Sequence, residues 1–415
     1  MKTVIIGNGI AGLSAASTIR RLNGNAEITL ISREPGPAYS ACNLGNYLSG
    51  DIDRSAVFIS SSGYYEKQHI RTLFESVVRE IDAERKKLLS DRGELVYDKL
   101  IIATGSIPWV PSFGRTLPRG IFSLKTLGDA DRIKSHRPRK AVVLGSGPVG
   151  IEAAVALKKN GAEVHLVELL DRILPRLFDA RPAQLIQGML EANGIAVHTG
   201  RRVTAFLGEP TVQGVSTDQG QIECDTVIVA AGMYPDTRLA MNVDGLSLTP
   251  EKGLKVDGRM ETSVKDVFAC GDCAATREVF TGKVQMNMLW HNAKQQGIVA
   301  GQNALGLNRE YRGAFTIAGV DVFGRHAVSL GVPGGGIAED AYETIEKESG
   351  SGYYRIVHTD GLVRGAQYIG PYEELGIFFT LIQKRRNVGD LLKMSSNRRS
   401  TAANPWAQRV VRYLR

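Results

Sequence analysis

Two glycine-rich turns are the clearest chemical signal in this sequence. Each has the pattern G-x-G-x-x-G, and the glycines are Gly7, Gly9, Gly12, Gly145, Gly147 and Gly150. In each copy a short apolar run precedes the turn and a segment rich in small residues follows it, which is typical of a strand, a tight turn and a helix. The bare backbone amides at such a helix start bind phosphate groups. Two copies therefore predict two bound dinucleotides.

An acidic residue is placed to select the second dinucleotide. The run Glu163–Glu168 is predicted to be the strand that follows the second glycine turn, and its last residue is an acid 23 positions after Gly145. A carboxylate there accepts hydrogen bonds from a ribose 2′-hydroxyl and repels a 2′-phosphate. Glu168 thus predicts a preference for NADH over NADPH, which the nearby Arg172 and Arg176 would weaken.

Cys42 is the cysteine best placed for redox chemistry. It lies in Pro35–Asp51, a segment rich in turn-forming residues that is predicted to be a loop. A thiolate at this position would attack a disulfide or persulfide sulfur. The alternative is a small residue that packs beside the coenzyme and takes no part in turnover. Cys270 and Cys273 form a single Cys-x-x-Cys, which without a second pair predicts no metal site.

The elements that position these residues follow from short apolar runs. Strands are predicted at Glu27–Ser32, within Tyr97–Pro108, Asp225–Asp236 and Asp266–Ala274, with edge strands at Val77–Glu80 and Lys87–Leu89 that return the chain to the first sheet. A helix is predicted from about Leu289 to Leu305. From Tyr311 alternating strands and a helix at Glu373–Gln383 predict an α+β unit. The fold class is therefore α/β, with two parallel sheets and an α+β domain after them.

Composition restricts the class of protein. The 415 residues are enough for two or three domains, and 43% hydrophobic residues with 46 glycines are typical of a soluble α/β protein. No apolar run approaches the roughly 20 residues of a membrane span, and Met1 leads directly into the first strand. With only four cysteines, the sequence predicts a cytoplasmic protein without a disulfide framework.

The positive charge is concentrated at the C-terminus. Residues 384–415 contain nine Lys or Arg residues and one acid, so they carry the whole net charge of +8, and the preceding residues balance at 42 against 42. Three interpretations are open: a solvated appendage, an arm that docks onto an acidic partner, or a nucleic-acid contact. The last is disfavoured because no nucleic-acid motif accompanies the tail.

At this point five motifs in order resemble one family. They are G-N-G-I-A-G, Y-D-K-L-I-I-A-T-G, G-S-G-P-V-G-I-E, V-I-V-A-A-G-M-Y-P-D and V-F-A-C-G-D, and together they resemble the FAD- and NAD(P)-dependent pyridine nucleotide–disulfide oxidoreductases over about residues 1–383. The resemblance implies an FAD domain (1–112 and 233–310) interrupted by an NAD domain (113–232). A C-terminal interface domain (311–383), which often mediates homodimers, and the basic tail (384–415) complete the expected organisation.

The resemblance also implies roles for individual residues. For FAD the implied residues are Gly7, Gly9, Ala11, Gly12, Glu34, Ala103, Thr104, Gly105, Gly271, Asp272 and Trp290. For NAD(H) they are Gly145, Gly147, Val149, Gly150, Glu168 and Gly232. Glu152 is expected close to where nicotinamide meets flavin and, with Cys42, is a candidate catalytic residue. The dithiol interpretation of Cys270 and Cys273 is disfavoured because their turn is assigned to FAD.

Three functions are compatible with these residues. The G-N-G opening and the I-S-R-E-P segment resemble flavoproteins that exchange electrons between NADH and rubredoxin, ferredoxin or iron–sulfur subunits, such as the flavin subunits of tungsten aldehyde oxidoreductases and phenylglyoxylate dehydrogenases. This predicts an NADH:acceptor oxidoreductase with an acidic iron–sulfur partner. The Y-S-A-C-N-L-G-N-Y-L-S-G segment instead resembles coenzyme A disulfide or persulfide reductases and NADH oxidases that use one cysteine. A non-catalytic NADH sensor is the third alternative.

Overall fold

The computed structural model of the protein describes residues 1–61, 63–113, 117–332, 342–349 and 352–370, together with residues 379, 380, 382 and 387. Most of the predicted helix Glu373–Gln383 and nearly all of the basic tail lie outside these residues. No helix in the described ranges is long and apolar enough to cross a membrane. Two parallel sheets and a C-terminal antiparallel sheet dominate the fold, which confirms the predicted α/β class.

The first parallel sheet is built around the first glycine turn. Its five strands, in spatial order, are Val267–Ala269, Lys99–Ile102, Lys2–Ile6, Glu27–Ile31 and Ile70–Leu73. The central strand is buried in a core that also contains residues of two helices and Ile81 and Leu88 of a small antiparallel sheet. The helices Ile10–Leu22 and Trp290–Ala304 pack against each other so closely that a Cβ on Gly297 would lie 2.1 Å from the carbonyl oxygen of Ala11.

The second parallel sheet repeats this plan around the second glycine turn. Its strands, in spatial order, are Ile195–His198, Glu163–Val167, Lys140–Leu144, Thr226–Val229 and Ile121–Ser123. Its helices are Leu127–His136, Pro148–Lys159 and Ala180–Ala192. A small antiparallel sheet, formed by Val203–Leu207, Gly214–Thr217 and Gly220–Glu223, covers one side.

The chain passes between the two parallel sheets through a pair of adjacent strands. Ser106–Pro108 leaves the first sheet and Met233–Pro235 returns to it, and the two strands pair antiparallel with Ile107 opposite Tyr234. The second sheet and its helices are thus inserted into the chain that forms the first sheet. We call the part built on the first sheet the first half of the molecule and the inserted part the second half.

Smaller elements complete this part of the molecule. The predicted edge strands near residues 77–89 exist, but they do not return the chain to the first sheet. They form a separate antiparallel sheet of Val78–Asp82, Lys87–Ser90 and Gly93–Val96, because each strand pairs with its neighbour through a short turn. A further small sheet contains Leu254–Lys255, Ala274–Arg277 and Val284–Met286.

The C-terminal sheet has five antiparallel strands. In spatial order they are Ile317–Val322, Arg325–Gly331, Leu362–Gly370, Gly352–Thr359 and Glu343–Ser349. One face packs on the second half of the molecule, where Val320, Val322 and Tyr353 share a core with the helix Pro148–Lys159. The C-terminal sheet therefore lies directly against the helix that follows the second glycine turn.

The segment Pro35–Asp51 was predicted as a loop, and the structure corrects this prediction. It contains a 3-10 turn, Ala41–Asn43, followed by the helix Leu44–Ser49. The helix forms because its apolar side chains, Leu44, Tyr47 and Leu48, are buried against the helices of the second half. Its polar groups are also held there: the Tyr47 hydroxyl donates to Asp131 at 2.8 Å, and Asn160 donates to the Leu48 carbonyl oxygen at 2.8 Å.

Candidate active site

The first glycine turn has the geometry that a diphosphate requires. Gly7 has φ of +113°, and a Cβ there would lie 2.1 Å from the Ala103 carbonyl oxygen. A Cβ on Gly12 would lie 1.9 Å from the Gly7 carbonyl oxygen, so strand and helix meet without side chains. A Cβ on Gly9 would meet no protein atom within 4 Å. The middle glycine thus faces open space, which is where a bound phosphate approaches the backbone.

The second glycine turn repeats this geometry. Gly145 has φ of +99° and a Cβ there would lie 2.5 Å from the Ala230 carbonyl oxygen, whereas one on Gly150 would lie 2.0 Å from that of Gly145. Gly147 again faces open space. Val149, two residues further along, is 40% exposed, and Gly232 has φ of +129° with no protein atom within 4 Å of the position of its absent Cβ. The molecule therefore has two open glycine turns of the same construction. We call the turn from Gly7 to Gly12 the first cradle and the turn from Gly145 to Gly150 the second cradle.

Glu168 lies at the carboxyl end of its strand, beside the second cradle. Its Oε2 accepts hydrogen bonds from the Ser146 backbone amide at 2.9 Å and from the Ser146 hydroxyl at 2.6 Å, and its Oε1 accepts from the Leu170 amide at 2.9 Å. The side chain is buried. The carboxylate is thus fixed against the glycine turn at the position that was predicted for the ribose contact.

The residues predicted around the first cradle come together at the carboxyl ends of the first sheet. The Ala103 amide donates to the Ile6 carbonyl oxygen at 2.8 Å, and the Thr104 hydroxyl donates to that of Asp236 at 2.6 Å. Gly271 has φ of +80°, and a Cβ there would lie 2.9 Å from the Cβ of Ala11. Ala11 must therefore be small for the helix and the turn to approach.

A polar cluster at this edge contains two residues that the sequence did not indicate. The Ser106 hydroxyl donates to Asp272 Oδ2 at 2.7 Å, and Lys125 Nζ lies 2.9 Å from Ser106 Oγ and 3.3 Å from Asp272 Oδ2. Lys125 is 147 positions from Asp272 and belongs to no motif, so only the tertiary fold brings it here. It supplies a cation that pairs with Asp272, a residue expected to lie near FAD.

Glu34 is connected to the second half of the molecule through Tyr39. The Tyr39 hydroxyl donates to Glu34 Oε2 at 2.5 Å and accepts from the Leu127 amide at 3.1 Å. Asn8, in the first glycine turn, donates to the Gly36 carbonyl oxygen at 3.2 Å. Glu34 is therefore held beside the first cradle, and Tyr39 is a partner that the sequence did not indicate.

Cys42 is exposed in the 3-10 turn Ala41–Asn43. Neighbouring atoms still withdraw its sulfur from water, and this burial, followed by Glu152 in its ionised form, raises the pKa of the thiol despite the opposing charge of Lys125. The other three cysteines are buried. Cys273 Sγ donates to the carbonyl oxygens of Ile102 at 3.4 Å and Cys270 at 3.3 Å. Burial raises the pKa of both thiols in the Cys-x-x-Cys, which makes them poor nucleophiles.

Glu152 faces the segment that carries Cys42. It belongs to the helix Pro148–Lys159, and a Cβ on Gly45 would lie 3.0 Å from the Cβ of Glu152. Burial, followed by the negative charge of Asp321 in the C-terminal sheet, raises the pKa of Glu152 to about 8. The carboxyl group is therefore neutral around pH 7 and can donate a proton or a hydrogen bond there. No group of three or more His, Cys, Asp or Glu side chains within the described ranges could hold a metal ion.

Trp290 and His291 begin the last helix. Trp290 Nε1 is buried and has no hydrogen-bond partner in the part of the chain that the structure describes, and Lys294 Nζ lies 5.4 Å from its ring centroid. His291 Nε2 is 2.5 Å from the carbonyl oxygen of Phe315, and burial lowers its pKa. A donor without an acceptor at this helix start fits a bound group that accepts hydrogen bonds.

Comparison with known proteins decides the family. The profile described as "Pyridine nucleotide-disulphide oxidoreductase" matches residues 1–297. The chain belongs to this family. FAD and NAD(P)H are the coenzymes typical of its members, and the protein is accordingly an FAD- and NAD(P)H-dependent oxidoreductase. The two cradles, Lys125 and the Trp290 donor fit the two coenzymes of this oxidoreductase family.

Relatives within the family have several activities. The chain is 30% identical to the NADH-dependent phenylglyoxylate dehydrogenase subunit epsilon of Aromatoleum evansii, over 98% of this chain and 96% of the relative. It is 32% identical to an NADH oxidase of Methanocaldococcus jannaschii, over 75% and 71%. The structure of an NAD-dependent persulfide reductase from A. fulgidus matches 95% of this chain and 78% of that one at 29% identity, with a TM-score of 0.86. The chain spans about half the length of three further curated relatives.

Proposed function

We propose that this oxidoreductase transfers electrons between NAD(H) and an iron–sulfur protein or partner subunit, with FAD as the intermediate carrier. Bound FAD would supply the hydride exchange with nicotinamide and the one-electron exchange with the acceptor. The observation that carries the proposal is the environment of Cys42. A disulfide or persulfide reductase needs a thiolate, and here burial of the sulfur favours the protonated thiol.

The cysteine inventory supports the same conclusion. A thiol that has attacked a disulfide is released by a second thiol or by the coenzyme, and the three remaining cysteines are all buried. Cys42 therefore has no cysteine that could resolve a mixed disulfide. The described residues beside the predicted flavin site could therefore bind and orient a coenzyme, but they do not include a pair of accessible thiols.

The end-to-end similarity to a complex subunit supports a partner protein. The relative from Aromatoleum evansii is named as the epsilon subunit of an NADH-dependent dehydrogenase, and the match covers nearly the whole of both chains. A subunit of that kind passes its electrons on within an assembly. The basic tail would then dock onto the acidic partner, because opposite charges raise the encounter rate and fix the register.

The protein's own residues would bind and orient the coenzymes. The open backbone at Gly9 and the cation of Lys125 would hold the FAD diphosphate, and Gly147 and Glu168 would hold the NADH diphosphate and ribose. Neutral Glu152 would donate a hydrogen bond to the nicotinamide carboxamide and keep water from the meeting point of the two rings.

The predicted domain boundaries at residues 112, 232 and 310 and the cytoplasmic location also stay predictions.

A persulfide or coenzyme A disulfide reductase is the second candidate. It is favoured by the exposure of Cys42 and by the similarity to the persulfide reductase from A. fulgidus. In that reaction the Cys42 thiolate would attack one sulfur of the substrate and the leaving thiol would depart with a proton.

Replacement of Cys42 separates the two candidates. FAD-loaded Cys42→Ala and wild type are compared anaerobically for NADH-dependent reduction of a ferredoxin and of coenzyme A disulfide, with Asn46→Ala, a change of an exposed residue on the same segment, as the matched control. We expect equal ferredoxin rates in all three proteins and no disulfide reduction. Disulfide reduction by wild type that is lost only in Cys42→Ala would contradict the proposal.

A further inference from the structure

A chain of hydrogen bonds runs from Glu163 through two histidines to Arg201, close to the strand end that carries Glu168. Glu163 Oε1 is 3.0 Å from His165 Nε2, His165 Nδ1 is 3.1 Å from His198 Nε2, and His198 Nδ1 is 3.3 Å from Arg201 Nη1. The imidazole planes differ by only 7° and the ring centroids are 5.4 Å apart. That separation is what two rings have when they meet edge to edge through one N–H···N bond.

The end groups determine where every proton in this chain lies. A guanidinium can only donate, so Arg201 donates to His198 Nδ1, which must be the unprotonated nitrogen. His198 therefore donates from Nε2 to His165 Nδ1, and His165 donates from its own Nε2 to the Glu163 carboxylate. The arrangement needs both rings neutral, each with its proton on Nε2.

Either added proton breaks the contact with Arg201. A proton on His198 Nδ1 points directly at the Arg201 guanidinium. A proton on His165 Nδ1, which the Glu163 carboxylate would stabilise, forces His198 to accept at Nε2 and to carry its proton on Nδ1, again facing Arg201. The arrangement is therefore lost whichever histidine is protonated.

The turn that carries His198 and Arg201 holds the backbone of Glu168. The Glu168 amide donates to the His198 carbonyl oxygen at 2.8 Å, and the Arg201 amide donates to the Glu168 carbonyl oxygen at 2.9 Å. Gly200 donates to the Leu170 carbonyl oxygen at 2.7 Å. The side chain of Arg201 also donates to Thr217 Oγ1 at 2.8 Å, which fixes it to the small antiparallel sheet. These backbone hydrogen bonds connect the residues of the histidine pair to the backbone of Glu168.

We propose that His165, His198 and Arg201 are positioning residues for the NADH site, and that the site holds the adenosine ribose through Glu168 only while both histidines are uncharged. The inference rests on the proposed role of Glu168 in coenzyme binding. It predicts that the enzyme loses affinity for NADH in mildly acidic conditions, through the adenosine end of the coenzyme.

The surrounding charges set the conditions for this titration. The charged groups around the pair are Glu163, Lys140, which lies 3.6 Å from Glu163 and 3.7 Å from Glu223, and Arg201. Burial, then Arg201 and then His165 lower the pKa of His198. His198 is therefore uncharged at neutral pH, and the loss of binding is expected as the pH falls below neutral.

The test measures binding of ADP-ribose, which has the adenosine and diphosphate of NADH but no nicotinamide, to the FAD-loaded full chain. We expect its dissociation constant to rise about tenfold in wild type between about pH 7.5 and about pH 5.5, the scale of one hydrogen bond to a charged group. His165→Asn keeps an acceptor near the Nδ1 position and leaves His198, whose pKa burial lowers, as the one titrating ring of the pair, so its dissociation constant should rise much less than that of wild type over this range. An equally steep dependence in His165→Asn would overturn the inference.

Two controls separate the possible failures. His69→Asn removes an exposed histidine from the first half, at φ of +47° where asparagine is tolerated, and should keep the wild-type pH dependence. Glu168→Ala should bind ADP-ribose weakly at every pH. Wild-type affinity in Glu168→Ala would refute the proposed role of Glu168, whereas weak binding by Glu168→Ala together with an unchanged slope in His165→Asn refutes only the histidine inference.

The tautomers provide a measurement that needs no variant. ¹⁵N NMR of the histidine rings at neutral pH should show His165 and His198 both neutral with the proton on Nε2. A proton on Nδ1 of either ring at that pH would refute the assigned hydrogen-bond chain, and with it the inference.

Discussion

Lys125 and Asp272 form an ion pair across the boundary between the two halves of the molecule, with Nζ 3.3 Å from Oδ2. Lys125 follows the edge strand of the second sheet, and Asp272 follows a strand of the first sheet. The side chains of the two residues are 29% and 19% exposed, so the pair is only partly screened by water. The pair is thus one of the contacts that join the first half of the molecule to the inserted half.

Replacement of Lys125 should weaken FAD binding. Lys125→Met keeps most of the aliphatic stem but removes the cation that pairs with Asp272, and we expect FAD affinity to fall about tenfold. The measurement is FAD release followed by fluorescence. Lys87→Met removes a surface lysine that pairs with Glu94 and should retain FAD like wild type. Equal release from both variants would show that Lys125 does not contact the coenzyme.

Substitutions of the glycines in the first cradle should distinguish an effect on folding stability from an effect on FAD binding. Gly9 has φ of −76° and faces open space, so Gly9→Ala should change the free energy of unfolding by less than about 1 kcal/mol but abolish stable FAD binding. Gly7→Ala would place a Cβ 2.1 Å from the Ala103 carbonyl oxygen at φ of +113° and should cost more than about 3 kcal/mol. Denaturant unfolding and the flavin absorbance check both expectations. A coloured Gly9→Ala protein would contradict the first.

Removal of the Glu168 carboxylate should narrow the coenzyme preference. In Glu168→Ala the proposed ribose acceptor is lost, and the Ser146 hydroxyl and amide lose their partner. We expect the ratio of kcat/KM for NADH to that for NADPH to fall about tenfold. Glu94→Ala, a change of a remote surface acid, should leave the ratio unchanged. A wild-type ratio in Glu168→Ala would mean that Arg172 or the loop geometry sets the preference.

The raised pKa of Glu152 should make stability depend on pH. The native state holds a proton on Glu152 up to about pH 8, whereas the unfolded state releases it near pH 4.5. Between these values the native state binds more protons, so Glu152 lowers the free energy of unfolding as pH rises. Relative to wild type, Glu152→Gln should gain on the order of 2 kcal/mol between about pH 5 and pH 8. Parallel denaturation midpoints over this range would disprove a buried, protonated Glu152.

Removal of the basic tail should affect the partner and not the coenzymes. A chain that ends at Gln383 should retain wild-type FAD content and flavin reduction by NADH. Its affinity for an acidic ferredoxin should fall, most strongly at low salt, where screening is weak. Titrations of both chains at low and high salt measure this effect. Identical affinities at low salt would exclude a docking role for the tail.

Local sequence was sufficient to predict the two cradles, because each depends on residues within one strand, turn and helix. The same is true of Glu168, which follows its strand directly. Lys125 and Ser106 were missed because their partners are remote in sequence, and the fold alone brings them to Asp272. The helix Leu44–Ser49 was missed because its turn-forming residues adopt a helix only when packed on the second half. The hydrogen-bond chain from Glu163 to Arg201 was missed for the same reason, because it joins two strands and the turn that follows the second of them.

The antiparallel pair Ser106–Pro108 and Met233–Pro235 has a consequence for the history of the molecule. Because the outgoing and returning strands are hydrogen-bonded neighbours, the two ends of the inserted half lie side by side. A gene lacking that insert would need only a short hairpin between Pro108 and Met233 to close the remaining chain. The adjacent strands are thus the one place at which such a shortened chain would be rejoined.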